Sequence, residues 1–421
     1  MAISEQRLEQ VKSVKQAIAK KRAGELKNRA GEFLKARRQI DTGLTTQDEA
    51  KKIKSRILNL FDATEKDWQN WRWQLKHRIT DTKTLAKLIK LTNKEIEQID
   101  LVSESFRWAI SPYYVSLMSA SDSWDPVRRQ SIPSILELQD TLEPDDPSFE
   151  EFTSPVDTVV RRYPDRLIIN TTNQCATFCR HCQRRRNIGQ RDQHAPKSKL
   201  KEALSYIREN EEIRDVVITG GDPLTFADQV IEWLLAELSK IKHVEIKRVG
   251  TRTLATIPQR ITKELCKIIE KYPPIYINTQ FNHPREVTPD AAEACDRLIK
   301  AGAVISNQSV LLKGINNDPH VMKVLNQELL KIRVRPYYLF QAKPVRGTSH
   351  FITPIKEGVE IIRKLRGYTS GLAVPEYIVS APGGLGKVAV SGTNIWESTD
   401  GKILLRTWEG KIVNYPFGAS L

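Results

Sequence analysis

The sequence predicts an α/β protein: a partial barrel of six βα units, with a helical region before it and a small β appendage after it. From Leu167 onward, β-branched apolar runs alternate with amphipathic stretches of helical length. That pattern builds a parallel sheet with right-handed crossovers. Polar and glycine-rich residues recur just after the apolar runs, at the pole where α/β sheets gather functional groups. Three cysteines, Cys175, Cys179 and Cys182, follow the first run at C-x3-C-x2-C spacing.

Taken in order, residues 1–110 read as a helical region. Residues 1–40 form one or two charged amphipathic helices, broken at Asp41-Thr42-Gly43, and residues 47–62 are helical again. Trp68, Trp71 and Trp73, with Leu75 and Ile79, sit at near-helical spacing and read as core. Asp81 and Thr82 offer a cap, and Asn93 to Glu97 open a further helix. Residues 111–165, with several prolines and an acidic run, read as a loop-rich linker wrapping a surface. The barrel is expected over 166–345, its strands at Leu167–Thr172, Asp215–Thr219, Glu245–Val249, Ile275–Phe281, Ala303–Leu311 and Val334–Gln341. Helices are expected near 197–210, 227–241, 261–271, 289–301, 319–331 and 355–366. Residues 346–421 hold a glycine-rich lysine turn and short strands, with turns at Gly383-Gly384, Ser391-Gly392-Thr393, Asp400-Gly401 and Glu409-Gly410.

The bulk numbers narrow the function classes. No run of 18 apolar residues occurs, so no membrane span is expected. The amino-terminal stretch is polar and reads as no secretory signal. Of five cysteines, three are clustered. This is no disulfide framework, and it fits a reducing cytoplasm. Cys266 and Cys295 read as inert core thiols. The net charge is +15, and residues 1–40 carry 11 Lys and Arg against 4 Glu. The excess suits anionic substrates and cofactors, a subunit-contacting arm, or RNA.

Chemistry concentrates on the cysteine run. Three thiolates leave one iron of a [4Fe–4S] cluster open, where four protein thiolates are usual. S-adenosylmethionine is the economical ligand for that iron. Zinc is the alternative, but zinc sites pair two short hooks and no second hook is visible. Gly220-Gly221-Asp222 follows the second strand and is expected to expose amide donors near the amino end of S-adenosylmethionine. Thr251-Arg252-Thr253, Gln280, Asn282, His283, Asn307-Gln308, Gln341 and Lys343 fall at the same pole. Arg161, Arg162 and Arg166 precede the first strand, and Arg184, Arg185 and Arg186 follow the cysteines; arginine forks match phosphate and carboxylate. Ser380-Ala381-Pro382-Gly383-Gly384-Leu385-Gly386-Lys387 ends a glycine-rich turn in a lysine. It fails the P-loop pattern, because Val388 stands in place of Ser or Thr. A desolvated lysine there suits a Schiff base with an aldehyde such as pyridoxal phosphate.

Together these motifs resemble the lysine 2,3-aminomutase family of radical S-adenosylmethionine enzymes. The likeness runs from about Trp68 to Trp408. It includes Asn70-Trp71-Arg72-Trp73-Gln74, Arg162-Tyr163-Pro164-Asp165-Arg166, Cys179-Arg180-His181-Cys182 with the following arginines, Asn282-His283-Pro284, Ile332 to Tyr338, and Ala381 to Lys387. The resemblance implies a partial (βα)6 radical SAM barrel. It implies a [4Fe–4S] cluster on Cys175, Cys179 and Cys182, and pyridoxal 5′-phosphate on Lys387 with Arg162, Tyr163 and Arg166 at its phosphate. It places His181 and Gln308 near S-adenosylmethionine and gives Arg184 the substrate α-carboxylate. It also implies an electron donor such as flavodoxin or ferredoxin, and self-association through the amino-terminal helices.

Departures from the lysine-specific pattern bear on the substrate. Two aspartates that face the distal ammonium of lysine are replaced here by Lys343 and Ser380. A cation facing that ammonium costs about 1 kcal/mol under water-like screening and about 4 kcal/mol when partly buried. A distal carboxylate is favoured instead, so L-glutamate is the expected substrate and β-glutamate the product. Glutamate-specific members carry a lysine and an amide at these positions, so Ser380 matches in charge only. A zinc-binding cysteine of the lysine-specific members reads Asp318 here, and no carboxy-terminal cysteine cluster follows, so no zinc is expected. Gln280 stands where those members carry histidine. The rival expectations are a lysine isomerase acting on free or protein-bound lysine, and an RNA-binding or RNA-modifying iron–sulfur protein.

Overall fold

Alternate residues of each barrel strand point to opposite faces, and the structure uses the two faces differently. The computed structural model describes residues 5–140, 143–392, 394–397 and 403–415. Its main sheet has nine strands in sequence order: β1 (Val159–Val160), β2 (Arg166–Asn170), β3 (Asp215–Thr219), β4 (Ile246–Gly250), β5 (Ile275–Thr279), β6 (Val304–Leu311), β7 (Arg335–Gln341), β8 (Glu376–Ser380) and β9 (Lys387–Ala389). Strands β2 to β8 are parallel, while β1 and β9 pair antiparallel at the two edges.

On one face Leu167, Ile169, Val216, Ile218, Val249, Ile277, Ile305 and Leu339 are buried in one core with the crossover helices. Those helices are Lys197–Glu209, Asp228–Ser239, Lys263–Lys271, Pro289–Lys300, Pro319–Lys331 and Ile355–Leu365. The other face carries Val217, Thr219, Arg248, Gly250, Asn278, Gln308, Tyr338 and Phe340 around a cavity. A fully buried parallel sheet is apolar on both faces. The polar positions on this inner face mark a ligand chamber.

The barrel differs from its sequence expectation at one end. The reading above puts Glu376–Ser380 in the appendage, whereas the structure places it in the main sheet, parallel to β7. A five-residue apolar run flanked by turns looks the same in either setting. Strand β9 then returns along β8, so the lysine turn belongs to the sheet edge. The separate antiparallel sheet comprises β10 (Ile395–Glu397), β11 (Ile403–Arg406) and β12 (Ile412–Tyr415). The Glu409-Gly410 turn joins β11 to β12, with Gly410 at φ +84°. The turn expected at Asp400-Gly401, together with Thr393 and Phe417, lies outside the described residues.

The chain divides into two compact units, Met1–Asp41 and Thr42–Leu421. The first holds a single helix, Glu5–Arg37, whose apolar residues are not gathered on one face, contrary to the amphipathic expectation. Within the second, Ile53, Ile57, Trp68, Ile79, Tyr113, Tyr114 and Val127 form a core of their own. The loop-rich stretch from 111 is therefore not a surface wrap along its length. Short helices at Pro112–Ser116 and Pro126–Arg129 start on proline and are capped by Ser111 and Asp125. They drive Tyr113 and Tyr114 inward, where the Tyr114 hydroxyl donates to Glu286 at 2.7 Å and Tyr113 meets Thr288 at 2.7 Å. Among the described residues no helix is long and apolar enough to cross a membrane.

Candidate active site

The carboxyl ends of the parallel strands converge on a cavity of about 360 Å³. Arg162, Tyr163, Arg166, the three cysteines, His181, Arg184, Gly220, Gly221, Asp222, Gln308, Lys343, Ser380 and Lys387, expected above at the cluster, the cofactors or the substrate, all line it.

At one wall the loop after β2 carries Cys175, Cys179 and Cys182. Burial pushes the Cys175 and Cys182 thiols up, and neighbouring thiols and Asp222 push Cys175 further. Buried thiols close enough to raise one another ionise readily only against a cationic centre. The buried Arg252 donates from Nη1 to Cys179 Sγ at 2.7 Å, and its Nη2 donates to Glu286 and Gln130 at 2.6 Å each. His181 is held neutral by burial and by Arg252. Its Nε2 accepts from the amides of Gln280 at 3.2 Å and Asn282 at 3.3 Å, which puts the proton on Nδ1. That Nδ1 is buried with no hydrogen-bond partner. Three gathered thiols and an orphaned donor fit a cluster with a ligand on its open iron. The sulfurs are not drawn into a single-ion site among the described residues.

The glycine turn after β3 works differently from its expectation. The Gly221 amide donates to the Thr172 carbonyl, and the Asp222 amide donates to Gln174 at 2.7 Å. Those donors are therefore spent inside the fold, bracing the cysteine loop, and are not offered to a ligand. A Cβ on Gly220, which sits at φ +127°, would lie 2.6 Å from the Thr172 carbonyl oxygen, and one on Gly221 would lie 2.5 Å from that of Gln174. The Asp222 carboxylate accepts from Thr251 Oγ1 at 2.7 Å and from the Arg252 amide at 2.8 Å. It fixes the end of β4, and burial raises its pKa.

At the opposite wall the β8–β9 hairpin sets Ser380 across from Lys387. The Lys387 amide donates to Tyr163 Oη at 2.9 Å, and Arg166 lies over the Tyr163 ring at 4.0 Å. The Lys387 ammonium sits 4.7 Å from the Tyr338 ring centre and 4.9 Å from that of Phe340. Lys387 is exposed and opens onto the cavity, with its ammonium close to the surrounding aromatic and cationic side chains. Desolvation, then Arg248, Arg166 and Arg162, pull its pKa down to about 8. A lysine near neutrality among arginines fits an aldehyde that carries a phosphate.

Between these walls stands Lys343, whose Nζ donates to Ser148 Oγ at 2.7 Å. Burial, then Arg162 and Arg184, pull its pKa down to about 7. Arg184 is held by Glu150 at 2.9 Å.

Some expected residues play other parts. Arg161 pairs with Glu212, Arg185 with Glu137, and Arg186 with Asp146. His283 accepts from the Arg285 amide at 3.2 Å as a cap, and Asp318 caps Pro319–Lys331. Burial raises the Cys266 thiol and pushes Cys295 up to about 12. Sequence reading missed Arg248, Tyr338 and Phe340 as cavity residues, although their inward position follows from strand alternation. It also missed Ser148 and Glu150, for which the sequence offers no local signal.

Comparison with known proteins adds to this geometry. Residues 362–419 match the family described as Lysine-2,3-aminomutase, and residues 169–325 match the Radical SAM superfamily. The chain is 54% identical to a glutamate 2,3-aminomutase of Clostridioides difficile (strain 630), over 94% of each chain. It is 46% identical to an L-lysine 2,3-aminomutase of Clostridium subterminale, over 86% of this chain and 87% of that one. It is 45% identical to an L-lysine 2,3-aminomutase of Bacillus subtilis (strain 168), over 84% of this chain and 76% of that one.

Proposed function

Because this chain belongs to the lysine 2,3-aminomutase family of the radical SAM superfamily, we propose that it moves the 2-amino group of L-glutamate to C3, giving β-glutamate. It is an isomerase, and its cofactors are a [4Fe–4S] cluster, S-adenosylmethionine and pyridoxal phosphate.

The observation that carries the choice of glutamate is the charge of the cavity. Its lining holds Arg162, Arg166, Arg184, Arg248, Arg252, Lys343 and Lys387. Among the described lining residues the only carboxylate is Asp222, already engaged by Thr251 and Arg252. A lysine substrate would bring a second ammonium into this field with no carboxylate to receive it. A dicarboxylate has a partner for each end.

When bound, the cluster with S-adenosylmethionine supplies the one-electron chemistry, and pyridoxal phosphate supplies the carbonyl that carries the migrating amino group. The chain's residues do the rest. Cys175, Cys179 and Cys182 would hold the cluster, with Arg252 donating a hydrogen bond to Cys179 Sγ. His181 and Gln308 face S-adenosylmethionine, beside the turn at Gly220, Gly221 and Asp222. Arg162, Tyr163 and Arg166 receive the phosphate. Lys387, eased toward its neutral amine, is the nucleophile for cofactor attachment. Arg184 receives the α-carboxylate and Lys343 the distal one, with Ser380 leaving room without charge. The enclosing walls orient the substrate and keep water from a reactive radical. A flavodoxin or ferredoxin is the electron source in this reading. The cytoplasm is the compartment, since unpaired cysteines suit a reducing one.

Anaerobic reconstitution with iron, sulfide and pyridoxal phosphate, followed by product analysis on L-glutamate, L-aspartate and L-lysine, tests the proposal. β-Glutamate is expected as the main product. β-Lysine formed in its place would overturn the assignment.

A further inference from the structure

A single short segment, Pro144 to Ser154, holds both cations that would grip the substrate. Ser148 Oγ accepts from Lys343 Nζ at 2.7 Å. Two residues on, the Glu150 carboxylate accepts from Arg184 Nε at 3.0 and 3.1 Å and from Nη2 at 2.9 Å. Among the described residues, Arg184 Nη1 makes no hydrogen bond and is left for the cavity. The Glu150 side chain is only 5% exposed, with Arg186 at 3.8 Å and Arg162 at 4.0 Å. The segment is itself anchored. Arg186 pairs with Asp146 at 3.0 Å, the Arg346 amide donates to the Pro144 carbonyl at 3.2 Å, and Ser154 Oγ donates to the Glu150 carbonyl at 2.6 Å. It also meets the lysine turn: a Cβ on Gly384 would lie 2.9 Å from the Ser148 carbonyl oxygen.

We propose that Glu150 and Ser148 are positioning residues that turn this segment into a gauge for substrate length. Glu150 clamps one edge of Arg184 so that Nη1 faces the α-carboxylate. Ser148 sets where the Lys343 ammonium stands to meet the distal carboxylate. Because both contacts come from one anchored segment, the separation of the two cations is fixed before substrate arrives. Such pre-organisation lowers the cost of binding. It also favours one chain length over its neighbours. The inference rests on the reading of Arg184 and Lys343 given above and extends it to the residues that aim them.

The test is calorimetric titration of L-glutamate into protein loaded with pyridoxal phosphate and kept without reductant, so that no turnover intervenes. Glu150→Gln is expected to weaken binding at least tenfold, and Glu150→Asp to recover most of the loss. In reconstituted enzyme, Glu150→Gln raises KM while kcat stays within threefold. Unchanged or tighter binding in Glu150→Gln overturns the clamp; tighter binding identifies Glu150 as a stand-in that competes with substrate for Arg184. Ser148→Ala, a milder change, is expected to lower the preference for L-glutamate over L-2-aminoadipate at least fivefold. An unaltered preference removes the gauge. Should the wild type accept only L-lysine, the glutamate assignment fails. The effect of Glu150→Gln on L-lysine binding then still decides the clamp, because every α-amino acid presents the same α-carboxylate.

Discussion

Lys343 has its charge in the balance. Burial comes first, and the guanidinium groups of Arg162 and Arg184 add to it, so the ammonium falls to about 7, while Glu150 opposes the shift. A lysine lowered in this way is cationic below that value and neutral above it. In the empty pocket, affinity for L-glutamate is therefore expected to fall as pH climbs through about 7. A bound carboxylate holds the proton and moves the limb upward. Initial-rate measurements of KM from pH 6 to 9 check this, and Lys343→Arg should flatten the limb because arginine stays charged. Lys343→Asp reverses the sign of the group. Loss of a buried charge partner costs about 3 kcal/mol or more, so kcat/KM for L-glutamate should drop at least a hundredfold. A variant that keeps its kcat/KM would falsify the role given to Lys343.

Elements differ in how far their own residues announce them. The strands and crossover helices of the barrel were legible because period two and period 3.6 are local properties of the sequence. Asp215–Thr219 and Pro319–Lys331 end where the pattern ends. The cysteine run, the lysine turn and the polar residues at strand ends were legible for the same reason. The stretch from 111 to 165 was not, since the burial of Tyr113 and Tyr114 depends on Thr288 and Glu286, far along the chain. Glu150 and Ser148 were hidden likewise: in sequence they belong to an acidic run, and only the fold sets Arg184 and Lys343 against them. The Gly220-Gly221 turn was legible as a close approach, but its engagement with the cysteine loop was not, because a glycine pair does not reveal the partner. That partner is the backbone of the cysteine loop. Gly221→Ala would place a Cβ against the carbonyl of Gln174, a contact that backbone cannot relieve by a side-chain rotation. The expected result is a chain with near-native circular dichroism that retains less than half the iron of the wild type after reconstitution. Full iron loading would show that the turn does not brace the loop.

Across the whole molecule the charge is lopsided in favour of anions. The formal net charge is +15, and the cavity repeats that sign in Arg162, Arg166, Arg184, Arg248, Lys343 and Lys387. A chamber lined by one sign of charge within low-dielectric walls concentrates the opposite ion. This field acts on the same event as the pairwise contacts of Arg184 and Lys343, yet the two respond differently to salt. Buried contacts are screened little, while the field beyond them is cut as the Debye length shrinks from about 30 Å at 0.01 M to about 8 Å at 0.15 M. L-Glutamate carries a net negative charge at neutral pH and L-lysine a net positive one. Raising ionic strength over that range should therefore lower kcat/KM for L-glutamate several-fold, with kcat changed little. Any weak turnover of L-lysine should rise or stay level under the same conditions. Steady-state rates at constant pH, with salt varied and the anion of the salt exchanged to exclude specific competition, make the measurement. A kcat/KM for L-glutamate that holds constant across the series would mean that substrate choice lies in the buried contacts alone.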